Sequence, residues 1–160
     1  MIKLRKNLPL TFILFVIVTA LISVFIIQYG LGHKPCKLCL YERVPYFIAI
    51  LLIVKVFFFN KYEKITLLIL SVIFFLTFIL SFYHFGIEQG FVKESLICAA
   101  DSSSIDLTKD QLLEQLKQNV ISCKDVSFRV LGLSLATINS IFSLVLSVIF
   151  VVLFFNYGKN

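Results

Sequence analysis

Charge is scarce in this chain. Asp, Glu, Lys and Arg make up 15% of its 160 residues, hydrophobic residues make up 59%, and the mean hydropathy is +0.98. Soluble domains carry roughly 25% charge, so an ordinary soluble globular class is excluded. Basic residues outnumber acidic ones by 15 to 9 but form no Lys/Arg block, which removes nucleic acid from the set of partners. In so apolar a chain the excess fits membrane orientation and contact with anionic lipid. Histidine occurs only as His33 and His84, and neither falls in a ligand pattern, so no metal site is expected. There is no internal repeat, and no soluble βαβ context of the kind a thioredoxin-like motif needs.

What is present is a set of four long apolar runs: Leu8–Tyr29, Val44–Phe59, Ile65–Phe82 and Leu131–Phe155. A helix needs roughly 20 apolar residues to cross the hydrocarbon core, so three of these span unaided. The second reaches that length only by starting near Cys39, and Lys55 near its far end can extend its ammonium to the interface. Backbone polar groups must be paired inside lipid, which leaves helices as the spanning form. The expected fold is all-α, an integral membrane four-helix bundle forming one domain over 1–160, with spans at about 8–29, 41–59, 65–84 and 131–155. The first run follows Lys3, Arg5 and Lys6 as a signal peptide would. It is longer than a signal h-region and lacks a small-residue cleavage site, so it is expected to be retained.

Four spans leave connectors at 30–43, 60–64 and 85–130. Parity puts the first and third on one side of the membrane, and both termini with 60–64 on the other. Cys36 and Cys39 lie in the first connector, Cys98 and Cys123 in the third, so all four thiols share a compartment. Lys3, Arg5, Lys6, Lys61 and Lys64 against Lys34, Lys37 and Arg43 favour cytoplasmic termini. An even cysteine count fits an oxidising compartment for the two cysteine loops. Within the third connector, Thr108 and Gln111 have capping-box spacing, and Leu112, Leu113, Leu116 and Val120 recur on one helical face. This predicts a short amphipathic helix lying at the membrane surface within a long exoplasmic loop.

The segment Pro35-Cys36-Lys37-Leu38-Cys39-Leu40-Tyr41-Glu42-Arg43 carries the chemistry. A Cys-x-x-Cys ring is a poor staple, because closing it removes little chain entropy, and it is better suited to thiol exchange. With Pro35 at the first helical position, both thiols fall in the first turn, where the helix dipole favours thiolate. Arg43 follows Cys39 by four residues, so on a helix the two share a face, and the guanidinium can stabilise a Cys39 thiolate or charge building on an acceptor. Pro45 then interrupts the helix. A plain structural disulfide beside an interfacial arginine is the competing account. A c-type haem would need His after the second cysteine, where Leu40 stands, and zinc would need a second close pair.

The Cys98/Cys123 pair would close a loop of about 25 residues, worth ~3 kcal/mol as a simple staple. Taken alone it reads as structural, but its compartment mate makes it a candidate second redox pair, able to meet a soluble thiol partner. Gln28, at the outer end of the first span, either caps the helix end or hydrogen-bonds a ligand carbonyl beside Cys39. His84 and Glu88, at the exit of the third span, are expected to be interfacial polar residues rather than catalytic ones.

These residues resemble the disulfide bond formation protein B (DsbB) family, membrane quinone reductases that reoxidise the periplasmic thiol oxidase DsbA. The resemblance covers almost the whole chain: four spans, Pro35-Cys-x-Leu-Cys-x-Tyr-Glu-Arg43, the upstream Gln28, and a Cys98…Cys123 loop with an amphipathic helix. Tyr83-His84-Phe-Gly86-Ile-Glu88-Gln89-Gly90 and Leu131-Gly132-Leu-Ser134-Leu-Ala136 look like segments of some branches. One departure is the absence of tryptophan, which members often carry after the last loop cysteine, where Ser127 and Phe128 stand here. The resemblance implies a relay with Cys36, Cys39, Cys98 and Cys123 as catalytic residues and a quinone (ubiquinone or menaquinone) as acceptor. It implies that Cys98 forms the mixed disulfide with a DsbA-like partner, that a Cys36–Cys123 bridge can follow, and that Cys39 faces the quinone beside Arg43 and Gln28. The implied place is the bacterial inner membrane, with cytoplasmic termini and periplasmic cysteine loops. Vitamin K epoxide reductase-like enzymes also join four helices to two cysteine pairs, but in the reverse chain order. From another class, a small membrane interaction or assembly protein stapled by two disulfides predicts thiols that resist mild reductants.

Overall fold

The computed structural model describes residues 2–33, 35–59, 62–93, 123–124, 129–130 and 132–157. Cys98 and the expected amphipathic helix around Leu112–Val120 lie outside them. Helix α1 runs Ile2–Phe25 and passes into a wider π-helical turn at Ile26–Gly30. After a short link come α2 (Lys37–Tyr41) and α3 (Val44–Phe58), then α4 (Glu63–Glu88). Two-residue strands β1 (Arg129–Val130) and β2 (Leu133–Ser134) pair antiparallel ahead of α5 (Leu135–Asn156). The architecture is an all-α bundle of membrane type.

Length and composition sort the helices. Leu8–Gly30, Glu63–Glu88 and Leu135–Asn156 each contain an 18-residue stretch of high mean hydropathy, 3.0, 2.7 and 2.6 in turn, and are long enough to cross a membrane. Helix α3 has 15 residues and rises only about 22 Å, short of a core of roughly 30 Å. The short α2 precedes it through a bend at Glu42 and Arg43, both in right-handed helical conformation. Pro45 at the start of α3 supplies no N–H, so a helix running on unbroken from α2 would lose a bond there.

The last helix begins at Leu135 rather than near Leu131, and the reason is local. Gly132 adopts φ +85°, which turns β1 back on β2, and the Ser134 hydroxyl caps α5 by accepting from Thr137 N at 3.2 Å. Helix α4 runs on to Glu88, four residues past the expected span end. There Phe91 N and Val92 N both donate to Gly86 O, at 2.9 and 3.1 Å, folding the chain back over the helix end. A Cβ on Gly86 would meet Val92 Cγ2 at 3.1 Å, so this close return favours glycine.

Helical periodicity builds the core. Leu10, Ile13, Ile17 and Leu21 line one face of α1, and Tyr46, Ala49, Ile53 and Val56 one face of α3. They meet Leu67, Leu70 and Phe74 of α4 and Leu146 and Phe150 of α5. Helix α1 packs on α3, α3 on α4, and α4 on α5 through the largest interface. Serines make that closeness possible: Ser71 and Ser81 on α4 and Ser140, Ser143 and Ser147 on α5 are all buried, and Ser147 donates to Ser71 O at 3.1 Å. Aromatic rings fill what remains. Phe74 stacks on Phe150 at 5.7 Å and meets Tyr46 edge-on at 5.4 Å. Phe12, Phe15, Leu51, Leu76 and Phe82 point outward, as a lipid-facing surface requires.

Candidate active site

Cys36 is the N-cap of α2 rather than a residue of its first turn, so Pro35 stands just before the cap and not at the first helical position. The Cys36 sulfur accepts from Cys39 N at 3.1 Å, and Cys36 and Cys39 form a disulfide. Cys36 is buried, while Cys39 is partly exposed. The two sulfurs thus look in different directions, one into the bundle and one onto a cavity.

The cavity has a volume of about 390 Å³ and lies between α1, the Cys36–Arg43 segment and the start of α5. Cys39, Arg43 and Gln28 line it together, among mainly apolar neighbours such as Leu21, Ile27 and Phe142. Arg43 donates through Nη1 to Gln28 Oε1, and its guanidinium carbon lies 5.4 Å from the centroid of the Phe25 ring. Gln28 is placed for this by the π-helical turn that ends the first helix. Its carbonyl is therefore engaged with Arg43, which leaves the amide nitrogen to donate to a ligand. Arg43 Nε is buried and, among the described residues, has no hydrogen-bond partner, which is costly. A flat apolar molecule with a polarisable carbonyl fits this lining: the walls suit the ring and the guanidinium on the cavity wall suits the oxygen.

Glu42, next to Arg43, also borders the cavity, but its carboxylate is tied to neighbours inside the bundle. It is 6% exposed, and its carboxylate accepts from Asn139 Nδ2 at 2.7 Å and lies 2.8 Å from His84 Nδ1. A carboxylate only accepts, so Nδ1 carries a proton and Nε2 is directed elsewhere. Nε2 lies 3.5 Å from Cys36 Sγ. Asn139 also donates to Ser81 Oγ at 2.7 Å and accepts from the Tyr46 hydroxyl, which lies 3.2 Å from Ser143 Oγ. Glu88 Oε1 stands 3.8 Å from His84 Nε2. The result is one buried polar network joining α2, α3, α4 and α5 to the thiol that faces inward.

His84 is 2% exposed, so the expectation of an interfacial polar residue is corrected. The missed signal was its phase: Phe74, Thr77, Ser81, His84 and Glu88 follow one another at spacings of three and four, on the inner stripe of α4. Cys123 is 2% exposed and packs in the same buried cluster as Cys36, Leu38 and Ile87. One member of the distant cysteine pair is thereby brought beside the first pair. No described cysteine is a free thiol.

A family model described as "Disulfide bond formation protein DsbB" matches residues 6–153. The chain belongs to the DsbB family. It is also 30% identical over 148 residues to an uncharacterized protein, RP370, of Rickettsia prowazekii (strain Madrid E), an alignment covering 89% of this chain and 84% of that protein. No solved structure matches it. Membership of the DsbB family brings an oxidoreductase role in disulfide bond formation, and the Cys36–Cys39 disulfide and membrane-type helices fit that role.

Proposed function

We propose that this protein is a membrane dithiol:quinone oxidoreductase that reoxidises a DsbA-like periplasmic partner and so sustains disulfide bond formation. The observation that carries the reading is the cavity where Cys39, Arg43 and Gln28 meet. In the proposed sequence, a partner thiolate attacks Cys98, Cys123 leaves, and the partner's second thiol displaces Cys98 to complete the partner's disulfide. The Cys123 thiolate attacks Cys36, to which its packing gives access, and Cys39 leaves as a thiolate into the cavity. Cys98 then attacks Cys123, which restores the loop disulfide and frees Cys36. A quinone in the cavity accepts two electrons and two protons and leaves as quinol, while Cys36–Cys39 closes again. Arg43 offsets the negative charge on Cys39. His84, held in one tautomer by Glu42, is placed to accept the Cys36 proton.

The cysteine loops face the periplasm and both termini the cytoplasm of a bacterial inner membrane in this reading. The test is direct. The protein in lipid, given a reduced periplasmic-type dithiol protein and a quinone, should produce quinol, and Cys39→Ser or Cys98→Ser should stop it. Undiminished turnover in Cys39→Ser would remove the assigned role, and thiols inert to the dithiol protein would favour a stapled assembly protein instead.

A further inference from the structure

The residues around the inward sulfur have a second capability. Cys36 Sγ, Cys39 Sγ and His84 Nε2 all lie within 4.8 Å of one another, and the nitrogen is 3.5 Å from Cys36 Sγ. Tetrahedral zinc bound at about 2.3 Å to sulfur and about 2.0 Å to nitrogen sets its ligand atoms roughly 3.5–3.8 Å apart. Cys-x-x-Cys is also a spacing from which two thiolates reach one ion. We propose that the reduced form of this protein holds a soft divalent cation, of which Zn²⁺ is the type, between Cys36, Cys39 and His84.

Three features of the surroundings support the site. The Nδ1–H of His84 is bonded to the Glu42 carboxylate at 2.8 Å, the outer-shell arrangement that orients a metal-binding imidazole and raises its basicity. Two carboxylates, Glu42 and Glu88, are buried here, and among the described residues His84 is the one basic group within 4 Å of either. Glu88 Oε2 is buried and meets no hydrogen-bond geometry among the described residues, with Ser134 and Arg129 as the other polar groups that act on this carboxyl. A dication with two thiolate ligands therefore enters a place already rich in negative charge, which offsets its loss of water. No spacing in the chain announces the third ligand, because His84 lies 48 residues beyond Cys36 and only the packing of α4 delivers it.

The site is gated by oxidation state. A disulfide offers no thiolate, so the ion binds only after the Cys36–Cys39 bond is cleaved by two electrons and two protons. With a phosphine as reductant, the phosphine becomes its oxide using oxygen from water, and two thiols result. Binding the cation then releases the two thiol protons. On the functional reading above, an ion seated there occupies both thiolates and arrests electron flow, but binding itself does not depend on that reading.

Cobalt(II) is the probe. The full chain in detergent, reduced with a phosphine under anaerobic conditions without quinone, and carrying Cys98→Ala and Cys123→Ala to remove the other thiols, is titrated with Co²⁺. The expected result is one equivalent bound, with thiolate-to-cobalt charge-transfer absorption and the ligand-field bands of a tetrahedral ion, both abolished by Zn²⁺. The oxidised chain should show neither. His84→Gln should weaken binding at least tenfold, and Glu42→Gln about 10- to 100-fold, the usual effect of losing an outer-shell partner. Absent charge-transfer bands, equal binding by oxidised protein, or an affinity unchanged in His84→Gln would each overturn the proposal. A readout without variants runs beside it: Zn²⁺ should protect Cys39 of the reduced wild-type chain from maleimide, and undiminished alkylation would count against the site.

Discussion

Replacing Arg43 by methionine keeps a long apolar stem and deletes the charge and five N–H donors. In the structure this removes the donor to Gln28 Oε1, the cation over the Phe25 ring at 5.4 Å, and the guanidinium on the cavity wall. The first loss frees one amide oxygen on a partly exposed side chain and the second a weak ring contact, so the fold should survive. The third falls on the ligand. A hydrogen bond to a charged group contributes about 1.5–3 kcal/mol, and each 1.4 kcal/mol is tenfold, so kcat/KM for quinone should drop roughly 10- to 100-fold. The assay is quinol formation by the protein in lipid, with the quinone varied and the reduced partner held in excess. Arg43→Lys is the informative companion: it keeps the charge but loses the planar fork and the Nε donor, and should fall between wild type and Arg43→Met. An Arg43→Met protein with unchanged melting temperature and the wild-type quinone dependence would refute the placement of the acceptor beside Arg43.

Phe74→Ala should cost about 3–5 kcal/mol in unfolding from mixed micelles, because Phe74 is fully buried between Tyr46 and Phe150; a loss under about 1 kcal/mol would mean the rings are not packed as described. Asn139→Ala strips partners from Glu42, Ser81 and Tyr46 and should cost about 1–3 kcal/mol. Combined with Ser81→Ala the cost should be less than additive; simple additivity would dissolve the network. A membrane-impermeant thiol reagent should label the loop cysteines of intact, reduced cells, and labelling only after permeabilisation would reverse the orientation.

Hydropathy and helical phase made the bundle legible, since each of these is a property of a single segment. Leu10, Ile13, Ile17 and Leu21 announce a buried face of α1 without reference to any neighbour. Helix ends were less legible, because they depend on hydrogen bonds that a hydropathy profile does not weigh. Leu131 is as apolar as Leu135, yet the turn at Gly132 and the Ser134 cap place the start of α5 at Leu135. Likewise the run from Cys39 to Phe59 is broken at Glu42 and Arg43, two charged neighbours that a spanning helix cannot bury on the same side.

That bend explains why half of the site was legible and half was not. Cys39 and Arg43 are four residues apart, so sequence spacing alone linked them, and the cavity does hold both together with Gln28. Glu42 sits one residue away from Arg43 and also lines the cavity, but its carboxylate bonds His84 and Asn139, which are 42 and 97 residues distant. Spacing carries no information about partners so remote; only the inward phase of His84 on α4 hinted that it would not reach the interface. The dipeptide Glu42-Arg43 therefore divides the work of the Cys36–Cys39 bond between its two sulfurs. Arg43 presents a fixed positive charge to the side where Cys39 meets the cavity. Glu42 orients the His84 imidazole on the side where Cys36 meets the bundle. Exchanging the two residues, Glu42→Arg with Arg43→Glu, would preserve composition and net charge while placing the wrong sign on both sides. It should abolish quinol formation even where the helices still assemble.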